Sequence, residues 1–242
     1  MSTTFEPLDF APGYRRVASE IAARILDRRL KVGEPLPAEM ELATQFGVNR
    51  STIREALREL ESADLIARRR GTKRMVVVRP APLRVGGRLR QALALHDVSA
   101  REVWEMLEVL EPPAARRAAT RRSEAALARI DAAVAAYAAH HQQAAAAVDG
   151  VGEFFRAVAA AGGNRVLPLM HEPLLQLLAA ALGKMIDASP AARERIGAAQ
   201  RQIAAAIGAG DGERAAEWMA KHVRDFRRGF EIGRIDLDAP LL

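Results

Sequence analysis

Hydrophobic positions repeat at helical spacing along almost the whole chain, and one strand-like stretch at 65–78 interrupts them. In residues 14–30, Val17, Ile21, Ile25 and Leu26 form an apolar stripe, which KVGEPLP ends with a glycine and two prolines. Pro37 suits a first helical position, and Glu39 and Glu41 suit a first turn, so a helix is expected over 37–46. Gly47 then permits a sharp turn, and Asn49 or Ser51 can cap a second helix. Along that helix Ile53, Leu57 and Leu60 must face a core, which leaves Arg50, Ser51, Thr52, Arg54, Glu55 and Arg58 outside, crowded toward the N-terminal end. Residues 65–69 and 74–78 read as two short strands around a turn at Gly71. Helix, turn, helix and hairpin in this order make a winged DNA-reading module.

After residue 78 the sequence RPAPLRVGG predicts a hinge over 79–87, and helical periodicity then resumes. The expected segments begin with a short helix at 89–95. A longer one follows, capped by Ser99 and carrying Val103, Leu107, Leu110 and Ala114, with Pro112 and Pro113 interrupting it. An alanine-rich helix opens at Ser123 and Glu124 and reaches to about residue 147. Asp149 caps the next, which passes through Phe154, Phe155 and Val158 to Gly162 and Gly163. The remaining segments are 165–171, 173–187, 190–207 and 211–232. The predicted fold is therefore mainly α: a winged helix-turn-helix followed by an all-α antiparallel bundle of six or seven helices. The expected divisions are an arm at 1–13, a DNA-binding domain at 14–78, a linker at 79–87, a helical effector-binding and dimerisation domain at 88–232 and a tail at 233–242.

Charge strengthens the first of these readings. The net charge is +6, and residues 1–82 hold 15 basic against 11 acidic side chains. Arg68, Arg69, Arg70, Lys73 and Arg74 place five cations within seven residues, with no acid among them. On a hairpin behind a helix-turn-helix such a tip suits phosphates or a minor groove. The absence of cysteine excludes disulfides and thiolate sites. No leader segment or apolar run of membrane length is seen, so a cytoplasmic protein with no membrane partner is expected. His140 and His141 are adjacent and point about a hundred degrees apart on a helix, which suits solvent better than chelation. His96 and His171 are read as structural groups near helix ends. GVGEFF and GAGDG lack the strand that precedes a phosphate loop, and no local serine, histidine and acid arrangement is present. No catalytic residue is assigned, and no enzyme is expected.

The segment GEPLPAEMELATQFGVNRSTIREALRELESADLI resembles the winged domain of the GntR family of bacterial transcription regulators. Three further stretches resemble the C-terminal domain of its FadR-like subgroup: LEPPAARRAA at 110–119, FFRAVAAAGGNRVL at 154–167 and IAAAIGAGDGERAAEWMAKHV at 203–223. The resemblance implies that Asn49, Arg50, Ser51, Thr52 and Arg54 meet DNA, with Gly71 at the wing tip. Arg58, Arg69, Arg70 and Lys73 join this set from their exposure and charge. Met40 stands where many relatives place an arginine able to pair with guanine, so the operator sequence does not carry over. Most relatives also hold a divalent metal with one aspartate and three histidines. The matching positions here are Val151, Phe155, Gln200 and His222, and no metal or other cofactor is expected. Leu107 replaces an arginine that often holds ligand carboxylates in relatives. The resemblance thus implies a homodimer on double-stranded operator DNA, a repressor released by a small organic acid or related metabolite. Leu107, Val151, Phe155, Asn164, Gln200 and His222 are its effector-site candidates. Two alternatives stay open: a sensor of an acyl thioester, and a helical dimerisation module with no ligand.

Overall fold

A computed structural model describes residues 12–69, 71–72 and 74–241. The chain divides into two compact units, residues 1–81 and 82–242. The expected arm at 1–13 lies mostly outside the described residues, as do Arg70 and Lys73 of the wing.

The first unit contains α1 (Gly13–Leu26), α2 (Glu39–Phe46), α3 (Arg50–Ser62), β1 (Ile66–Arg68) and β2 (Met75–Val77). Val17 and Ile21 of α1, Leu42 of α2 and Ile53, Leu57 and Leu60 of α3 close on one another as a core with Ile66 and Val77. Val17 and Ile21 of the stripe read in α1 are therefore buried and Ile25 is half-buried, whereas Leu26, the last residue of the helix, is 73% exposed. Helix α2 starts at Glu39 with Ala38 as its cap, so Pro37 precedes the helix and is not its first residue. The turn into α3 needs the left-handed backbone of Gly47, at φ 64°. The strands pair antiparallel, Ile66 opposite Val77 and Arg68 opposite Met75. Helix α1 stops at Leu26, short of the expected residue 30 and of KVGEPLP. In that segment Gly33 and Leu36 donate backbone hydrogen bonds to Val77 and Met75, so it lies along the other edge of β2.

The second unit contains α4 (Pro82–Ala94), α5 (Ala100–Arg121), α6 (Glu124–His140), α7 (Ala144–Ala161), α8 (Leu167–Ala188), α9 (Pro190–Ala209) and α10 (Gly212–Ile232). These form an all-α bundle around one apolar core. Ser99 and Glu102 form a reciprocal cap on α5, and Trp104 Nε1 donates to the Val223 carbonyl, tying α5 to α10. The tail returns across this end: Arg101 N–H donates to the Leu237 carbonyl, and the Arg101 side chain pairs with Asp238.

Several helix boundaries differ from those read in the sequence. Helix α4 starts at Pro82, so residues 82–87 of the expected hinge are helical. A proline near a helix start gives up a hydrogen bond that would not form there in any case. Helix α5 runs unbroken through Pro112 and Pro113. Each ring costs about 3 kcal/mol in a helix interior, and the stripe that continues from Val103 and Leu107 to Ala114, Ala115 and Ala118 outweighs it by burial. Pro173 likewise lies inside α8, which joins the expected segments 165–171 and 173–187. Helix α6 stops at His140. Helix α7 starts at Ala144, so Asp149 lies inside the helix and caps nothing. His171 lies in the N-terminal part of α8, near a helix end as expected, and is fully buried. No helix among the described residues is long and apolar enough to cross a membrane.

Candidate nucleic-acid interface and effector cavity

Helix α3 turns Ile53, Ala56, Leu57 and Leu60 inward. Its geometry therefore leaves Arg50, Ser51, Arg54 and Arg58 exposed, with Thr52 half-buried. Asn49 is the N-cap residue, but its side chain makes no capping hydrogen bond, contrary to the expected oxygen cap. A groove of about 580 Å³ runs between α2, α3 and the wing. Arg50, Arg54, Arg58, Arg68 and Arg74 line it against two acids, Glu39 and Glu61. Arg54 Nε donates to Glu39 Oε2 at 2.9 Å, and Arg50 reaches the same oxygen at 3.5 Å. The Arg54 guanidinium holds the Glu39 carboxyl below its usual range, so both cations are anchored to one acid on the preceding helix. Arg69 and Gly71 lie exposed at the hairpin, where Arg69 N–H donates to the Arg74 carbonyl. Met40 is exposed in the groove wall. Arg68 and Arg74 belonged to the cation run, yet only the fold brings them beside α3. Glu39 was legible as a first-turn acid and not as a partner for both arginines.

A second site lies inside the helical unit. A cavity of about 190 Å³ opens between α5, α7, α8 and α10, with Leu107, Val151, Phe155, Phe226 and Phe230 in its wall. Leu107, Val151 and Phe155 thus meet at one cavity. Gln200 and His222 do not line it: both are buried, and His222 stacks on Phe155 at 5.6 Å between centroids. Asn164 is exposed at the start of α8, where its Oδ1 accepts from Val166 N–H.

The positions that hold metal in relatives therefore carry two hydrocarbon side chains, an amide and one imidazole. The Phe155 ring lies flat on that imidazole. Burial pushes His222 down to about 4. The Gln200 amide and His222 Nε2 have no hydrogen-bond partner among the described residues. This donor set does not fit a divalent metal, because Val151 and Phe155 offer no lone pair, which leaves one imidazole and one amide.

The polar part of the cavity wall is one that sequence reasoning missed. Arg156 Nε and Nη2 donate to the two Glu172 oxygens at 2.7 and 3.0 Å, and Nη1 donates to Glu153 at 2.8 Å. Burial raises Glu172, but hydrogen bonds from Arg156 and Gln176 outweigh it and hold the carboxyl below its usual range. Gln176 Nε2 donates to Glu172 and also to the Leu83 carbonyl of α4. A Cβ on Gly86 of α4 would stand 2.7 Å from Glu172 Cγ, so only glycine lets α4 approach α8 this closely. Arg156 stood in the quoted motif FFRAVAAAGGNRVL, but its partner Glu172 is 16 residues away on another helix. Elsewhere in the core, His171 Nε2 comes within 3.2 Å of Glu111 Oε1 without the alignment of a hydrogen bond.

Comparison with known proteins agrees with both parts of this geometry. Residues 13–76 match the bacterial regulatory protein gntR family, and residues 102–225 match the FCD domain, about half of the chain. Over 119 residues the chain is 29% identical to a regulator named PhnF of Escherichia coli strain K12, covering 49% of each protein. Over 55 residues it is 44% identical to the mannosyl-D-glycerate transport/metabolism system repressor MngR of the same strain, covering 23% of each. The chain thus spans no more than half the length of these curated relatives. A solved Streptococcus agalactiae GntR structure superposes with a TM-score of 0.62 at 25% identity, covering 89% of this chain and 99% of that one. A gntR-type winged unit followed by an FCD helical unit is the arrangement these matches share, and the chain belongs to the gntR family of bacterial regulatory proteins with an FCD domain.

Proposed function

We propose that the chain is a ligand-responsive transcription regulator of the FadR-like subgroup, a repressor that leaves its operator when a small metabolite enters the helical cavity. The observation that carries this reading is the groove of five arginines between recognition helix, α2 and wing. Its outward face at the N-terminal end of α3 suits base edges, and its flanking cations suit phosphates. Catalysis has no part in it. A homodimer is supported by apolar side chains left exposed on packed neighbours, Met106 and Val109 on α5 and, at the start of α8, its cap residue Val166 and Met170. Two heads would then read two half-sites.

The cavity supports the ligand-responsive part over a filled dimerisation module, and its volume is small for the head group of an acyl thioester. Its polar wall also suggests a route for the signal. Displacing Arg156 disturbs Glu172 and Gln176, and these hold α4, the first element after the DNA-binding unit along the chain.

Selection of duplexes from a random pool by the intact chain tests the reading. An enriched motif with two-fold symmetry is expected, and its affinity should fall steeply with salt. No enrichment, or a single unrepeated half-site, would overturn it.

A further inference from the structure

We propose that the cavity takes a small cation with an apolar body, a compact alkyl- or arylamine, and discriminates against organic acids. This rests on the cavity being the effector site.

The balance of charge around the cavity carries the argument. Arg156 is the cation in its wall, and three of its N–H groups are already given to Glu172 and Glu153. The Glu172 side chain is only 3% exposed. A carboxylate ligand that turned the Arg156 fork toward itself would strip the partner from a buried anion, and one that used the two remaining Arg156 N–H groups would meet a cation already neutralised by Glu172 and Glu153. Gln176 offers no substitute, since its amide nitrogen already donates to Glu172 and to the Leu83 carbonyl. At the mouth stands Asp149, exposed and with no side-chain partner among the described residues. The depression outside shares Asp149 and adds Lys184 and Asp187. Arg156 is thus neutralised by Glu153 and Glu172, which leaves Asp149 and Asp187 against Lys184 at the mouth.

The interior suits the rest of such a ligand. Phe155, Phe226 and Phe230 present rings in the wall that pack against the hydrocarbon body. A space of 190 Å³ equals roughly six water volumes at about 30 Å³ each. That admits a molecule of about ten heavy atoms with its ammonium left at Asp149.

Three probes of one size and different charge test the proposal: benzylamine, benzyl alcohol and benzoate, titrated calorimetrically into the intact protein. Benzylamine should bind about tenfold or more tighter than benzoate, because a like charge at the mouth is repelled. Asp149→Asn should weaken benzylamine about threefold and leave benzyl alcohol unchanged, as an exposed ion pair would. Val148→Trp, which fills the cavity from its half-buried rim, should abolish binding of all three. Benzoate binding as tightly as benzylamine, benzylamine binding unaltered in Asp149→Asn, or no probe binding at all would each overturn the proposed ligand class. If benzoate binds best and Val148→Trp abolishes it, the ligand class fails while the cavity remains the effector site. Binding that survives Val148→Trp would remove the cavity itself from that role.

Discussion

The two units place their polar groups in opposite ways. In the first, the functional cations lie on exposed faces of α3 and the wing, and the core is apolar apart from Asp64. In the second, Glu111, His171, Glu172, Gln200 and His222 are all buried inside the bundle. An exposed charge can be replaced at the cost of its own contact. A buried one leaves its partner stranded in a medium that solvates it poorly. In the proposed function the first unit therefore exchanges water for phosphates and bases. The second is built so that a change at one buried group is felt by its neighbours.

The largest effect expected from this contrast is at Glu172. Glu172→Ala should lower the stability of the helical unit by about 2–4 kcal/mol, less than a fully buried pair would because Arg156 still reaches water. Urea unfolding followed by circular dichroism measures it. A loss under about 0.5 kcal/mol, the range of an ordinary surface change, would mean that the pair does not hold α7 to α8. On the other unit, Arg54→Ala should leave folding unchanged and weaken the selected duplex by about 1–3 kcal/mol. Fluorescence anisotropy reads this directly, and wild-type affinity in the variant would detach α3 from base reading.

A smaller effect separates the units by pH. Burial pushes Glu111 up to about 8 and His171 and His222 down to about 4. Between 4 and 6.5 the folded histidines bind fewer protons than unfolded ones, so stability rises with pH. Between 4.5 and 8 folded Glu111 binds more protons than its unfolded form, so stability falls. Two histidines outweigh one glutamate up to 6.5, and above it Glu111 acts alone. Stability should peak near pH 6.5 and then decline by about 1–2 kcal/mol toward pH 8. In Glu111→Gln that decline should vanish. A decline that persists in the variant would place its origin elsewhere.

The same contrast explains what the sequence made legible. The reading of α3 needed only residues within four positions of one another, and Ile53, Leu57 and Leu60 are buried as their spacing required. Helix breaks were less legible, because Pro112, Pro113 and Pro173 carry a local cost that long-range burial overrides. The cavity was legible only in its hydrocarbon part, through Leu107, Val151 and Phe155. Its polar wall depends on Arg156 meeting Glu172 and on α4 passing over Gly86, contacts that no periodicity announces.

In the proposed regulator the cavity of the helical unit governs the grip of the other unit on DNA. Operator affinity of Val148→Trp, measured by anisotropy beside the wild type and with a circular dichroism spectrum confirming the folded bundle, tests this without any ligand in hand. A side chain that occupies the cavity permanently should change operator affinity about fivefold or more, the usual span of coupling between two sites, although no residue of α3 or the wing has been altered. Affinity equal to that of the wild type in a folded variant would contradict the account.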